Sequence, residues 1–451
     1  MNPLIYFGQE KPLENLASYD LFEKIIHKKF FVLVPENLSL KFKWISKKIT
    51  FKKLSTTKDQ KVFFDYLLLH NYFTRNNKSL NKYLRITFLG TGKIYNLKTF
   101  LFAFKFVIRK LISINLLILF KFHKKDSVQI LNILRSHRII RSNDTNSFLE
   151  ILKSLEIDKV FTFTTFTDIT IYDLINACNQ LSIPVYVLPE SWDNISTSIS
   201  IPSNLTELLV WSNQHYKEVS EFYPQLITRT KIIGSYRITN AVGQREFKNT
   251  KVITQAVPKT KFRIVYLEGY FLEDVNHILN TVLDVIPQIN SLNLSVIEII
   301  YRKYPLKKQT LESMWGTKLD IESKAYPVNF RISEGSSLMR DLIDVDLVIS
   351  ESTTAGLEAA FNLNPVLFVY SKRSRKYIDT KRSYDFSYSQ DLKKYFNVID
   401  FDSADCKKKL IAVLVNLCFK MGIKHMEKNR SEFLEYFGQP FDFNAWEKLS
   451  S

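Results

Sequence analysis

Short apolar runs alternate with helical patterns along most of this chain, and this alternation limits what the chain can fold into. In the first half the strand-like runs are Phe30–Val34, Lys159–Phe163, Val185–Leu188 and Glu207–Trp211. The helical patterns are Asp144–Leu155, Asp168–Leu181 and Asn213–Tyr223, with Asp168 placed as an N-cap. Strands separated by helices are typical of parallel sheets, whereas sandwiches connect strands by turns. The pattern therefore predicts an α/β fold.

A second series of the same kind follows a polar stretch, Thr239–Thr260, that has no clear periodicity. Its predicted strands are Phe262–Leu267, Val296–Tyr301, Asp346–Ser350, Pro365–Val369 and Val398–Phe401, and its predicted helices are Glu273–Ile286, Ser337–Asp341, Thr354–Phe361 and Ala404–Lys420. With 451 residues the chain is long enough for two domains with cores of their own. We expect two Rossmann-like, doubly wound parallel-sheet domains that face each other across a cleft.

The predicted domain bounds follow from these two series. The first domain takes residues 1–245, a linker takes 246–258, and the second domain takes 259–425. The remaining segment, 426–451, is rich in aromatic residues, and we expect it to pack back on the first domain.

Several classes of protein are disfavoured by what the sequence lacks. The three cysteines show no metal-binding or paired spacing, and the seven histidines form no HxxxH or HExxH pattern, so no metal or other cofactor is predicted. There is no G-x-G-x-x-G, Walker-type loop or nucleophile elbow, which argues against a dehydrogenase, an ATPase and an α/β-hydrolase. The first residues lack the pattern of a secretory signal, so we expect a cytoplasmic protein.

The net charge of +18 is unevenly distributed along the chain. No Asp or Glu occurs from Tyr66 to Lys125, and the amphipathic segment Leu97–Phe122 places lysines among aromatic residues. Such a segment suits a helix lying in an anionic membrane interface. A core helix with snorkelling lysines is the alternative. Nucleic-acid binding is disfavoured, because no recognisable RNA- or DNA-binding module accompanies the segment.

The most informative segment is Asp344–Tyr370, in which a predicted strand ends in Ser-Glu-Ser-Thr-Thr and a helix begins at once. Backbone N–H groups at a helix N-terminus, supported by hydroxyl groups, form a natural phosphate site. Glu358, about one turn into the helix, is placed to accept hydrogen bonds from ribose hydroxyls. The alternative is that Ser352 or Thr353 only caps the helix.

This segment resembles the donor-site signature of GT-B glycosyltransferases and of their sugar-nucleotide epimerase relatives. The likeness lies in the strand, the Ser/Thr-rich turn, the Gly-Leu-Glu-Ala-Ala run and the Asn-Pro-Val strand that follows. The resemblance implies that Ser352, Thr353 and Thr354 contact the donor diphosphate and that Glu358 contacts the ribose.

A second likeness is the succession of Glu190–Ser198 (ESWDNISTS), a strand ending in Trp211, a helix, and Lys231–Ile238 (KIIGSYRI). It resembles bacterial glycosyltransferases that build capsule, O-antigen or lipopolysaccharide. Trp192 offers an apolar face for an acceptor sugar, and Asn194 offers an amide beside it. Asp193 is the first candidate for the catalytic base, with Asp168 and Glu190 in reserve. An Asx-type turn is the structural alternative for Asp193-Asn194.

A third match is Ile300–Leu306 (IYRKYPL), directly after a predicted strand. Related enzymes often carry Arg-x-His-Pro here, and Tyr304 stands in the place of that histidine. Arg302 and Lys303 are candidates to pair with the donor phosphates, unless they form only a solvated basic turn.

Together these features predict transfer of a sugar from a nucleotide-sugar donor to a surface polysaccharide or lipid-linked glycan. The enzyme would work at the cytoplasmic face of the membrane, on an anionic surface. The rival hypotheses are a sugar-nucleotide epimerase, a polyol-phosphate transferase, and a non-catalytic glycan- or nucleic-acid-binding protein. The sequence does not identify the sugar, the base, the acceptor or the stereochemical outcome.

Overall fold

A computed structural model describes the following residues: 2–18, 22–26, 30–39, 45–60, 62–63, 66–67, 126–164, 168–192, 195, 201–243, 261–269, 272–292, 296–303, 329–333, 338–351, 353–362, 364–371, 391–418 and 430–451. The chain divides into two compact units. Within the described residues, unit 1 contains those up to Thr239 and those from Glu435 to Ser451, and unit 2 contains those from Asn240 to Leu434. The predicted basic segment 97–122 and the predicted linker 246–258 lie outside the described residues.

Unit 1 is built on a parallel sheet. Its strands are β1 (Pro3–Tyr6), β2 (Phe31–Pro35), β3 (Lys48–Phe51), β4 (Lys159–Thr164), β5 (Val185–Pro189), β6 (Glu207–Val210) and β7 (Thr230–Ile232). In the described part of the chain they form a seven-stranded sheet in the order β3-β2-β1-β4-β5-β6-β7. Every pair is parallel, as for Ile5 opposite both Val32 and Phe161. Apolar side chains dominate the strands, as expected for a parallel sheet covered on both faces.

The helices named in the first part of the chain are α1 (Glu10–Ser18), α2 (Phe22–Ile25), α3 (Glu36–Ser39), α4 (Ser127–Ser136), α5 (Thr145–Ser154), α6 (Ile169–Gln180), α7 (Asn213–Phe222) and α8 (Tyr236–Gly243). A 3₁₀ turn, Pro224–Arg229, precedes β7. The predicted N-cap of α6 is confirmed, because the Asp168 side chain accepts a hydrogen bond from the Thr170 backbone N–H at 3.1 Å. The sequence predicted irregular structure from Thr239 onward, but α8 continues to Gly243. The helix is too short for its apolar periodicity to be recognised in the sequence.

Unit 2 repeats the parallel-sheet architecture. Its strands are β8 (Lys261–Leu267), β9 (Val296–Arg302), β10 (Asn329–Ile332), β11 (Leu347–Ser350), β12 (Val366–Tyr370) and β13 (Asn397–Asp400). In the described residues they form a six-stranded parallel sheet in the order β10-β9-β8-β11-β12-β13. Its helices are α9 (Leu272–Asn290), α10 (Leu338–Asp341), α11 (Thr354–Phe361) and α12 (Cys406–Cys418). After them α13 (Arg430–Phe437) spans the division between the two units, and α14 (Phe443–Ser450) belongs to unit 1.

The C-terminal segment packs in the core of unit 1. Trp446 is fully buried, its ring lies 4.6 Å from that of Phe161, and its indole N–H donates to the Ile25 carbonyl at 2.9 Å. Phe30 also stacks against this indole, with ring centroids 6.1 Å apart. A tryptophan buried in this way with its N–H satisfied contributes several kcal/mol to a core, about 3–5 by the cost of truncating such residues. The segment therefore belongs to the fold of unit 1.

No helix among the described residues is both long and apolar enough to cross a membrane.

Candidate functional site

The sheet of unit 2 has one point at which its winding reverses. β8 is followed in sequence by β9 and β10 on one side, and the chain then returns to place β11 on the other side of β8. In open parallel sheets, ligands bind in the crevice at the carboxyl ends of the two strands beside this point. The residues that follow these strands are Glu268 and Gly269 after β8, and Glu351 after β11. The signature segment found in the sequence lies at this crevice.

The side chains at this crevice come very close together. A Cβ atom added to Gly269 would lie 1.7 Å from Oε1 of Glu351. Glycine therefore leaves room for the end of the Glu351 side chain, which a larger residue at position 269 would displace. Glu268, next to Gly269, is 7% exposed.

Two tyrosines of the sheet lie next to the carboxylates of this crevice. Tyr266 and Tyr301 lie on β8 and β9, and their rings stack with centroids 5.9 Å apart. Burial and the neighbouring carboxylates, Glu351 first and then Glu268, raise the pKa of Tyr266 well above its usual value. Burial and Glu268 likewise raise the pKa of Tyr301. Both hydroxyl groups therefore stay protonated and remain hydrogen-bond donors beside the crevice.

α11 begins directly after this crevice. Thr353 is its N-cap, and its Oγ1 accepts a hydrogen bond from the Gly356 N–H at 3.2 Å. Ser350 Oγ lies 3.1 Å from the same oxygen and donates to the Glu351 carbonyl at 2.7 Å. The capping alternative is thus realised by Thr353, whose hydroxyl orders the helix start. A phosphate contact by Thr353 or by the half-buried Thr354 stays a prediction, and Ser352 lies outside the described residues.

Glu358 lies one turn into α11 and is 4% exposed. A carboxylate is seldom buried to this extent unless it is hydrogen-bonded. On the helix that starts at the crevice, it is a strong hydrogen-bond acceptor near the positive end of the helix dipole. A ribose contact by Glu358 stays a prediction.

Arg302 is the last residue of β9, one strand away from β8. Its guanidinium group pairs with the Asp341 carboxylate of α10, to which Ser333 Oγ donates at 2.6 Å. The side chain is 19% exposed, so Arg302 is a fixed and largely buried cation and not part of a freely solvated turn. The next residue, Lys303, is exposed. Tyr304 lies outside the described residues.

In unit 1, the structure corrects the interpretation of Trp192. Its side chain is 1% exposed and packs edge-to-face on Phe437, with centroids 6.0 Å apart. A ring covered in this way does not present a face to an acceptor sugar, so Trp192 is a core residue. Sequence alone does not separate a buried tryptophan from an exposed one, because both follow a strand in the same pattern. Asp193 and Asn194 lie outside the described residues.

The winding of unit 1 reverses between β1 and β4. Asp168, a reserve candidate for the base, follows β4 here, and the side chains that contact it were not predicted. Lys53 Nζ lies 2.9 and 2.8 Å from the two carboxylate oxygens of Asp168, and Gln60 Nε2 donates to Asp168 at 3.0 Å. A Cβ on Gly8, just after β1, would lie 2.9 Å from this carboxylate. With the Thr170 backbone N–H, three donor groups therefore contact the Asp168 carboxylate. The apolar run Leu4–Phe7 ending in Gly8 was the available signal.

Among the described residues, no group of three or more His, Cys, Asp or Glu side chains is arranged to hold a metal ion.

The comparisons with known proteins agree with this architecture. No protein-family model matches the sequence, and no curated protein matches it. Among solved structures, UDP-GlcNAc 2-epimerase from Methanocaldococcus jannaschii is similar, with a TM-score of 0.53 and 12% identity, over 100% of this chain and 99% of that one. The glycotransferase of kitacinnamycin is also similar, with a TM-score of 0.51 and 10% identity, over 99% of this chain and 97% of that one.

These likenesses establish the fold. The chain has two doubly wound parallel-sheet units of the GT-B type, so the fold class predicted from the sequence is confirmed.

Proposed function

We propose that this protein acts on a nucleotide-sugar and transfers its sugar to a glycan or lipid-linked acceptor. The observation that carries the proposal is the start of α11 at the crevice of unit 2, with Glu358 buried one turn later. This arrangement offers helix N–H groups to a diphosphate and a carboxylate to a ribose. The solved structures with the same fold include a UDP-GlcNAc 2-epimerase and a glycotransferase, which supports a nucleotide-sugar as substrate.

In this proposal the donor phosphates bind at Thr353, Thr354 and the neighbouring Ser352. The bond between the anomeric carbon and the diphosphate oxygen breaks as the acceptor oxygen attacks that carbon. Arg302 and Lys303 offset the negative charge that develops on the leaving nucleoside diphosphate. The pairing with Asp341 supports the role of Arg302, because it fixes the guanidinium before the donor binds.

We propose that the acceptor binds to unit 1. Asp193 is the proposed base that takes the proton of the acceptor hydroxyl, and Asn194 is a proposed acceptor contact. Asp168 stays a reserve candidate for the base, and its carboxylate is already paired with Lys53. Replacement of Asp193 by Asn should leave donor binding intact and abolish transfer, and full activity in that variant would remove Asp193 as the base.

The acceptor is proposed to be held at the inner face of the cell membrane. Segment 97–122 supports this, because its lysines and aromatic side chains suit an anionic lipid surface. Sedimentation with phosphatidylglycerol vesicles at low salt would test the point. Absence of binding, with equal absence on phosphatidylcholine vesicles, would contradict it.

The reaction itself is tested by product analysis with the sugar nucleotide that binds best. Glycosyl transfer predicts release of nucleoside diphosphate that depends on an added acceptor, for which a membrane lipid extract from a polysaccharide-producing bacterium serves as the probe. An epimerase would instead convert the sugar of the nucleotide without any acceptor. Conversion of the sugar without an acceptor would therefore contradict glycosyl transfer and indicate an epimerase.

A further inference from the structure

Two glutamates lie between the groups that are proposed to hold the donor phosphates. Arg302 ends β9, Glu268 follows β8, and Glu351 follows β11 directly before α11. The Glu268 backbone N–H donates to the Arg302 carbonyl at 3.0 Å. On the other side, the Thr353 N–H donates to the Glu351 carbonyl at 2.6 Å. The strand order is β9-β8-β11, with neighbouring strands about 4.8 Å apart, so a diphosphate that reaches from Arg302 to the start of α11 passes both glutamates.

These carboxylates form a close group in the crevice. Glu268 is 7% exposed, and the end of the Glu351 side chain lies against Gly269. A third carboxylate, that of Asp274 in the first turn of α9, is 1% exposed. Burial raises the pKa of Tyr266 on β8, and the three carboxylates raise it further, Glu351 first. The crevice therefore combines a helix start that suits phosphate with a concentration of negative charge.

The Tyr266 hydroxyl group is a separate observation that points to a ligand at this place. Tyr266 is 1% exposed, and its hydroxyl oxygen makes no hydrogen bond with the described part of the chain. A buried hydroxyl group without a partner is destabilising, and native structures seldom keep one without a reason. Carboxylates are strong acceptors, so a glutamate that turns away from entering phosphates meets a donor here. Tyr266 is therefore placed to stabilise a carboxylate that the phosphates displace.

The substrate and the product of the proposed reaction differ in charge at this point. The diphosphate of a sugar nucleotide carries about two negative charges, whereas a free nucleoside diphosphate carries about three at neutral pH, because the second pKa of a terminal phosphate is about 6. Repulsion between like charges grows as the surroundings exclude water. Arg302 offsets it only in part, since its guanidinium group is already paired with Asp341. Carboxylates in the crevice therefore disfavour the free diphosphate more than the sugar nucleotide.

We propose that Glu268 and Glu351 are specificity-determining residues that make this crevice prefer a sugar-esterified diphosphate to a free nucleoside diphosphate. The inference rests on the proposed function, which places the phosphates at the start of α11. The full additional charge appears only when the bond to the sugar is broken, so it acts mainly on the product. The consequence is that the released nucleoside diphosphate competes weakly with the substrate.

The variants Glu268→Gln and Glu351→Gln remove the negative charge and keep the size of the side chain. The matched control is Asp284→Asn, further along α9, where the carboxylate is 63% exposed and pairs with Lys407. The two test ligands carry the base of the sugar nucleotide that binds best. One is the nucleoside diphosphate, and the other is its methyl ester at the outer phosphate, which has one negative charge fewer and no sugar.

Tyr266→Phe tests the part of the hydroxyl group. Because this hydroxyl makes no hydrogen bond with the described residues, its loss should leave the melting temperature unchanged. Binding of both test ligands should weaken about fivefold, since the displaced carboxylate loses its donor. The same change in the double variant Glu268→Gln/Glu351→Gln should have no effect on binding. Undiminished binding in Tyr266→Phe alone would remove the hydroxyl group from the inference.

Calorimetric titration of the two test ligands into the full chain gives the ratio of their dissociation constants. In the wild type and in Asp284→Asn the methyl ester should bind about tenfold more tightly than the free diphosphate at neutral pH. Each glutamine variant should reduce this ratio, and the double variant should abolish the difference. A free diphosphate that binds the wild type as tightly as the ester, or a ratio that all glutamine variants leave unchanged, would overturn the inference. Failure of every nucleotide and sugar nucleotide to bind the wild type would instead refute the proposed function.

Discussion

The Tyr236 hydroxyl lies 2.6 and 2.7 Å from the two carboxylate oxygens of Glu190, and both residues are buried in unit 1. The contact joins two of the sequence segments that resemble bacterial glycosyltransferases, ESWDN and GSYRI. Forty-six residues separate them, so the pairing is visible only in the fold.

Tyr236→Phe removes one donor from the buried Glu190 carboxylate and leaves the ring in place. We expect the free energy of unfolding to fall by about 1–3 kcal/mol, because a buried carboxylate loses a hydrogen bond that water does not replace. Urea denaturation followed by circular dichroism measures the change. Tyr216→Phe, an exposed tyrosine of the same unit, is the control and should have no effect. A Tyr236→Phe variant as stable as the wild type would show that the contact contributes little.

Gly269→Ala tests the close approach in unit 2. The added methyl group would meet Glu351 Oε1 at 1.7 Å, so the loop or the carboxylate must shift. All the atoms that the methyl group would meet lie at the end of the Glu351 side chain, so we expect the carboxylate to move at little cost in stability and nucleotide binding at the crevice to weaken. In a chain that also carries Glu351→Ala the space is free, and Gly269→Ala should then have no further effect on binding in a calorimetric titration. A Gly269→Ala variant that binds nucleotide like the wild type would contradict a role of this close approach in binding.

Arg302→Met should weaken binding of a nucleoside diphosphate about tenfold, because the phosphates lose their ion pair with the guanidinium group. Binding of the nucleoside, which has no phosphate, should stay unchanged. Isothermal titration of both ligands checks this. The change also leaves Asp341 without its cation, so the double variant Arg302→Met/Asp341→Asn separates lost stability from lost affinity. Arg331→Met is the control, on an arginine that pairs with Glu298. Equal affinity for the diphosphate in Arg302→Met would remove the phosphate role.

The neutral state of His215 makes stability depend on pH. Burial lowers its pKa from the ordinary 6.5 to about 4. Between these values the unfolded chain binds a proton that the folded chain does not, so stability falls as the pH drops from 6.5 toward 4. The contribution to this fall is about 3 kcal/mol across the window, at about 1.4 kcal/mol for each pH unit. In urea denaturation series, His215→Gln should flatten this part of the profile, and a profile that keeps the wild-type slope would contradict the buried neutral ring.

The fold could be predicted from the sequence where strands are long and apolar. The β4, β8, β9, β11 and β12 strands agree with their predicted runs within one residue at each end, because parallel strands buried on both faces read as continuous apolar runs. β3 and β7, with sequences KITF and TKI, were missed, since each is short and carries lysine. β1 was missed although it is central, because a strand of four residues that begins with proline gives little signal.

The site could be predicted only in part, for a different reason. The helix start at Thr353 was predicted because it is local in sequence. Trp192 is buried by Phe437, which lies on a distant helix, and Lys53 contacts Asp168, which lies more than a hundred positions further along the chain. No pattern in one sequence records such pairings. The residues that tertiary structure brings together were therefore the ones that sequence reasoning missed.

The central claim is that α11 and Glu358 bind the nucleotide part of a sugar nucleotide. Its most direct test is a calorimetric titration of UDP-, GDP-, CMP- and dTDP-sugars into the wild type, Glu358→Ala, the volume-conserving Glu358→Gln, and the control Asp284→Ala. We predict that one nucleotide binds the wild type and Asp284→Ala equally, and that both Glu358 variants remain folded and bind it about tenfold or more weakly. Failure of every nucleotide to bind, or undiminished affinity in the Glu358 variants, would contradict the account.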